Sequence, residues 1–316
     1  MANKESHGLH TLSAAGVLIS LGIIFGDIGT SPIYVLKAIM NMATSGNHPI
    51  TDDLILGGVS CVFWTLTIVV TIKYVIIALN ADNNGEGGIF ALYAIVRRYK
   101  AKWTLIPALL GCASLMADGF ITPPISISSA VEGLTILYPD IQTVPIVIGI
   151  LVIIFLVQQF GTNKIGVLFG PIMFIWFSMI GILGTIQIFH NPSVFKALNP
   201  MYAFNLVLNY PGGFWFLGAV FLCSSGGEAL YSDLGHCGKK NVRVSWTFVK
   251  ITLLLSYFGQ AAFIIGNKNY DFQNTAPFYA VMPAWFLKIG IAVATMATIT
   301  ASQALISGCF TLVNEA

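Results

Sequence analysis

Apolar runs long enough to cross a bilayer follow one another through this chain, and they leave few folds open to it. A hydrocarbon layer of about 30 Å is spanned by about 20 helical residues. Runs of that order stand near 13–40, 55–79, 104–136, 142–160, 165–190, 214–235, 246–266 and 285–313. Helices are the natural reading, because lipid offers no partner for an unpaired backbone group. Composition agrees: 9% of the 316 residues are charged, against about a quarter in soluble domains. The fold class read from this is an all-α polytopic membrane protein, a single transmembrane domain over 1–316. The first, third, sixth and eighth runs are long or interrupted by Gly and Pro, and are expected to be tilted, kinked or broken.

The loops carry the charge asymmetry. Arg97, Arg98, Lys100 and Lys102 follow the second run, Lys164 the fourth, and Lys239, Lys240 and Arg243 the sixth. The alternate loops hold only Lys196 and Lys268. The positive-inside rule then predicts a cytoplasmic N-terminus, with the first helix retained rather than cleaved as a signal peptide. "NNGEGG" (83–88) reads as a tight turn, and "IFALYAIVRRYK" as a short interfacial helix. Five scattered cysteines give no disulfide or zinc spacing, and "LGHCGKKN" lacks the spacing of a phosphate loop. No nucleic-acid partner and no cofactor are expected.

Against this background the acids stand out. Asp27, Asp118 and Glu228 fall inside the first, third and sixth runs. At 1.5 Å per residue each lies roughly 20 Å deep, so three carboxylates converge near the midplane. An ionised acid there costs about 2.5–3.5 kcal/mol on insertion scales. The one base well inside these spans is Lys73, near a helix end. Either the acids are protonated or a mobile cation visits them, and a cation site with one exchanging proton satisfies both.

Oxygen donors surround the acids. In "GDIGTSPIY" (26–34) the glycines and Pro32 are expected to unwind the helix and turn carbonyls toward an ion, with Thr30, Ser31 and Tyr34 adding hydroxyls. In "ADGFITPPISISSAVEG" (117–133), Asp118, Thr122, Ser126 and Ser129 form one polar stripe. Pro123 and Pro124 release the carbonyls of Gly119 and Phe120. These are hard ligands, suited to an alkali cation. "SSGGEALYSDLGH" (224–236) repeats the design with paired glycines, Glu228 and Tyr231. Breaks in corresponding helices of two halves point to a transport site built from inverted repeats. First and sixth imply a five-helix repeat: 13–190, then an incomplete 214–316 through about helix 8.

"GDIGTSPIY" closely resembles the signature of the KUP/HAK/KT potassium uptake permeases. The resemblance continues through "GEGG" (85–88), "DGFITPPISISSAVEG" (118–133), "FGPIMFIWF" (169–177), "EALYSDLGH" (228–236) and "ASQALISGCFTL" (301–312). It implies potassium import across the cell membrane by proton symport, on a LeuT-like (APC-type) five-plus-five fold. It also implies functional acids at Asp27, Asp118 and Glu228, with Tyr34 and Thr122 at positions associated with the ion. The expected cation site is Asp27, Thr30, Tyr34, Asp118, Thr122, Glu228 and Tyr231, with potassium at Asp27, Tyr34, Asp118 and Thr122. Glu228 and Asp118 are the proton-coupling candidates. Ile33, where the signature has leucine, and the double proline are tolerable variation. Family members continue through further helices and a soluble domain, so this chain is expected to be part of a longer polypeptide. A homodimer through regions absent here is left open.

Other readings remain on the residues alone. Asp27 can cap a broken half-helix without any ion, and Asp118 can bond backbone groups freed by the prolines. Glu132 and Asp233 sit toward the two mouths. An amino-acid permease of the same fold would aim bare N–H groups at a substrate carboxylate, which Asp27 would repel. An intramembrane aspartyl protease needs two paired acids, but neither "FGDIG" nor "MADGF" gives its catalytic context. A channel would show repeated filter carbonyls.

Overall fold

The computed structural model describes residues 12–315 except 47, 84, 99–101, 159–165, 269, 271 and 273–274. Lys100 and Lys164, used above for sidedness, lie outside the described residues. Among the described residues the architecture is helical throughout. Six helices are long and apolar enough to cross a membrane, and a bent pair makes a seventh.

That pair is the first expected break. Helix α1 (Ala14–Ile23) is started by Ser13, whose hydroxyl accepts the Gly16 N–H. Helix α2 (Gly26–Thr30) follows, then a 3₁₀ turn (Ser31–Ile33) and α3 (Val35–Ser45). The chain bends 71° between Ala14–Ile23 and Gly26–Ile33. The glycines of the signature are not in unusual conformations, since neither has positive φ. They are places of close approach. A Cβ on Gly26 would sit 2.8 Å from Ala301 Cα, and one on Gly29 would sit 2.5 Å from the Phe177 ring.

Helix α4 (Asp52–Thr65), capped by Thr51 with two acids in its first turn, widens into π-helix over Leu66–Ile77. There the Thr71 hydroxyl donates to the carbonyl five residues back. The interfacial segment is α5 (Gly88–Arg97), entered through positive-φ Gly85 and Gly88. Helix α6 (Leu105–Glu132), expected to be tilted, kinked or broken, carries Pro123 and Pro124 without a break. Helix α7 (Thr143–Gln158) is a shorter apolar helix of 16 residues, and α8 (Gly166–His190) follows it.

The stretch between the runs ending at 190 and starting at 214 contains a 3₁₀ turn and α9 (Pro200–Asn209). Helix α9 packs on α4, with Leu206 and the Tyr202 carbonyl against Gly57. The sixth run starts as α10 (Gly213–Phe221), breaks at Ser225–Gly227, and restarts as the short α11 (Ala229–Ser232). Helix α12 (Lys239–Gly266) begins about two turns earlier than its apolar run suggested, because its first turns are basic. The short α13 (Pro277–Ala280) leads to α14 (Leu287–Glu315), which was expected to be tilted, kinked or broken and runs without a break.

The core is a packed column of helices around the first break. Helices α8 and α12 touch backbone to backbone at Gly184 and Gly259, where a Cβ on either would fall within 2.3 Å of the other helix. Trp176, Phe177, Tyr257, Phe278 and Tyr279 are fully buried around this seam. Ile106, Leu109, Phe120 and Ile121 of α6, with Val144, Ile148 and Val152 of α7, face outward, an apolar belt suited to lipid.

The basic loops gather at one end of the bundle. Lys239 pairs with Asp82, Arg98 donates to Asn83 at 2.9 Å, and Arg243 donates to Asn80 at 3.1 Å. At the other end of α4, Lys268 pairs with Asp52 at 2.9 Å.

Candidate functional site

The two breaks meet. Asp27 sits in the first turn of α2, where a helix N-terminus favours negative charge, and it is 94% buried, being 6% exposed. Gly226 lies directly against it with φ +79°, a conformation other residues avoid, and an added Cβ would lie 2.7 Å from Asp27 Oδ2. Just before it, Ser225 places its hydroxyl between two carboxylates. It is 3.2 Å from Asp27 Oδ2 and 3.4 Å from Asp118 Oδ1. One hydroxyl carries one proton, so it can donate to only one of them at a time.

Asp118 is held from its own helix by Thr122, whose hydroxyl donates to Oδ1 at 2.6 Å. Its other oxygen, Oδ2, is buried and has no hydrogen-bond partner among the described residues. A buried carboxylate oxygen without a donor is costly, and a visiting cation or proton relieves that cost.

The remaining expected residues divide. Thr30 donates to the Asp27 carbonyl at 2.9 Å and lies 3.5 Å from the Ser126 hydroxyl. Tyr34 is buried beside Ser126, within electrostatic reach of Asp27 and Asp118. Glu228, at the restart of the sixth run, is within electrostatic reach of both aspartates and of Lys73, whose ammonium sits 4.7 Å over its neighbour Tyr74. Tyr231 is not in this group. Its hydroxyl donates to the Ala81 carbonyl and ties α11 to the loop below the site. Its spacing from Glu228 suggested a ligand, but that spacing turns it toward the loop instead.

Asp27 and Glu228 line a cavity of about 480 Å³, which extends past Ser232 and Cys309 to Asn83, Glu86 and Phe90. Its mouth is therefore at the end where the basic loops gather. Among the described residues no Lys, Arg or His lines it. At the opposite end Lys37 of α3 pairs with Glu132 at the end of α6, and a separate cavity of about 240 Å³ lies beside Thr44, Asp52 and Lys268. Among the described residues no ion pair reaches Asp27, Asp118 or Glu228, and no group of three His, Cys, Asp or Glu could hold a transition metal. Below the mouth, the Lys239 ammonium and then the Gly85 N–H hold the Asp82 carboxyl below its usual range. That contribution is present at neutral pH and lost as pH falls through the lowered value.

The expectation that the first break turns its carbonyls toward an ion needs revision. Thr30 takes the Asp27 carbonyl and Ser31 the Ile28 carbonyl at 2.7 Å. Trp176 donates to the Gly29 carbonyl at 2.9 Å, and Gln260 to that of Pro32 at 3.0 Å. The break is filled by protein donors, and the side-chain oxygens of Asp27 and α6 face one another across it. Ser225, Trp176 and Gln260 were missed. The serine doublet beside the paired glycines was the available signal for Ser225. A tryptophan and a glutamine among apolar residues gave none.

Residues 14–316 match the model of a family described as the K+ potassium transporter integral membrane domain. A "Probable potassium transport system protein Kup" of Flavobacterium johnsoniae is 60% identical over 99% of this chain and 48% of its own length. Proteins of the same printed name from Cytophaga hutchinsonii and Clostridium perfringens are 58% and 50% identical, over 100% and 99% of the chain. The chain spans about half the length of these curated relatives. No solved structure matches it. With the family model matched from the first helix to the last residue, the chain belongs to the K+ potassium transporter family.

Proposed function

We propose that this chain forms the ion pathway of a secondary transporter that imports potassium across the cell membrane, coupled to proton entry. The relatives' names supply the ion. The observation that carries a cation site is the carboxylate pair Asp27–Asp118, bridged by the single hydroxyl of Ser225, with Asp118 Oδ2 unpartnered and no base paired to either acid. Potassium sits among Asp27, Tyr34, Asp118 and Thr122, and Glu228 or Asp118 carries the proton. With the ion bound, one acid stays negative to balance it.

The fold behind this reading is a LeuT-like pair of inverted repeats, 13–190 and 214–316, with breaks in the first and sixth helices and the N-terminus in the cytoplasm. The cavity past Glu86 is then the inner vestibule, and the Lys37–Glu132 pair closes the outer face. Rocking of the broken helices against the rest exchanges one opening for the other. The amino-acid permease reading finds no support, because Asp27 already occupies the N-terminus of α2 that a substrate carboxylate would need.

The test is uptake at low potassium by cells lacking their own uptake systems and expressing the complete gene. Asp27→Asn, Asp118→Asn and Glu228→Gln are each expected to lower uptake at least about tenfold, the scale of one charge-assisted interaction. Normal transport by all three at every pH sinks the cation site. Uptake indifferent to an imposed proton gradient removes only the symport.

A further inference from the structure

The signature segment is gripped from behind as well as facing the acids. Three side chains reach it from α8 and α12. Trp176 Nε1 donates to the Gly29 carbonyl, Gln260 Nε2 donates to the Pro32 carbonyl, and the Tyr257 hydroxyl lies 2.9 Å from that of Ser31. Trp176 and Tyr257 are fully buried and Gln260 is 1% exposed, so water does not replace these bonds. The two helices that carry them form one rigid backing. Gly259, next to Gln260, is pressed on the backbone of Gly184, two turns along α8 from Trp176.

Neither Trp176 nor Gln260, nor either carbonyl they hold, lines the cavity. Both donors come from α8 and α12, whereas Asp118, Thr122 and Ser126 come from α6. They therefore fix how far Asp27, Thr30 and Tyr34 stand from the oxygens of α6. Ion preference depends on the size and number of oxygens in such a site. We propose that Trp176 and Gln260 are positioning residues that set the ion preference of this site, by anchoring the carbonyls of Gly29 and Pro32 to the α8–α12 backing and so fixing the width between the first-helix oxygens and those of α6. The inference rests on the cation-site reading above.

The test uses Trp176→Phe and Gln260→Met, each of which removes the donor and keeps most of the volume. Potassium uptake by cells expressing the complete gene is measured against concentration, in competition with sodium and rubidium, and normalised to transporter in the membrane. Each variant is expected to raise the apparent KM for potassium roughly three- to tenfold, the scale of one lost neutral hydrogen bond. Discrimination against sodium falls in parallel, while Vmax per transporter stays within about twofold of wild type, as loss of ground-state binding alone requires. Unchanged KM and ion preference, with only the amount of protein or Vmax reduced, overturns the proposal, because a purely structural role gives that result. Should Trp176→Phe leave no protein in the membrane, Gln260→Met decides alone. Asp27→Asn, run in parallel, separates the two failures. If it transports normally, the cation-site reading fails. If it is inactive while the donor variants keep wild-type KM and preference, the positioning proposal alone fails.

Discussion

A single hydroxyl between two carboxylates makes Ser225 the most exposed point of the site to chemical change. Removing it leaves two acids with no donor between them, each within the other's field. A hydrogen bond to a charged group contributes about 1.5–3 kcal/mol. Ser225→Ala is thus expected to reduce potassium uptake by roughly ten- to a hundredfold, and Ser225→Thr, which keeps the hydroxyl, to restore much of it. Equal uptake by the alanine and wild-type proteins would show that the bridge is idle. Residues of this kind were unevenly visible in the sequence. Asp27, Asp118 and Glu228 announced themselves because an ionisable side chain is rare at membrane depth. Trp176 and Gln260 did not, since buried aromatics in a membrane chain usually signify packing. Tyr231 misled for a geometric reason. Its position three residues after Glu228 was clear, but the direction of its hydroxyl depended on where the loop at Ala81 would lie.

Helices are held to one another here by the absence of side chains as much as by their presence. The α8–α12 seam closes at Gly184 and Gly259, where a methyl group would overlap backbone by more than any rotamer change relieves. Overpacking a core costs about 1–3 kcal/mol when side chains can yield, and here backbone itself must move. Gly184→Val is expected to cost at least about 3 kcal/mol. The thermal midpoint of the detergent-solubilised protein should fall by at least about 6–12 °C, taking about 2–4 °C per kcal/mol. An unchanged midpoint would mean that the seam is looser than described. At this scale the apolar runs predicted where helices lie, and Gly and Pro predicted the broken first and sixth. Of the tilt, kink or break expected for the third and eighth runs, a break is absent, since α6 carries two prolines uninterrupted and α14 is continuous past Gly290 and Gly308. Helix α9 escaped because its 10 residues are too few to span, and periodicity does not distinguish so short a helix from a loop.

For the molecule as a whole, the cavity that reaches Asp27 and Glu228 leads to the end where the basic loops gather. Cys309 lines the open cavity, while Cys61, Cys223 and Cys237 are buried. With partly exposed Cys112 replaced by serine, a membrane-impermeant maleimide is expected to label Cys309 when presented to the face bearing the 81–87 loop. Presented to the other face, it should leave the thiol unmodified. Saturating potassium should slow labelling several-fold if ion binding narrows the cavity. Labelling from the opposite face alone would reverse the reading of which side is open. None of this asymmetry was legible in the sequence. Loop charges say which end of each helix is which, but the state of a two-sided pathway lies in the packing between helices.

The contact of Gly226 with Asp27 has one more implication. At that point the backbone of one interrupted helix lies flush on the acid of the other, with no slack between them. In the transport cycle proposed above it would serve as a fulcrum shared by two levers, so that whatever tilts one interrupted helix carries the other's acid with it.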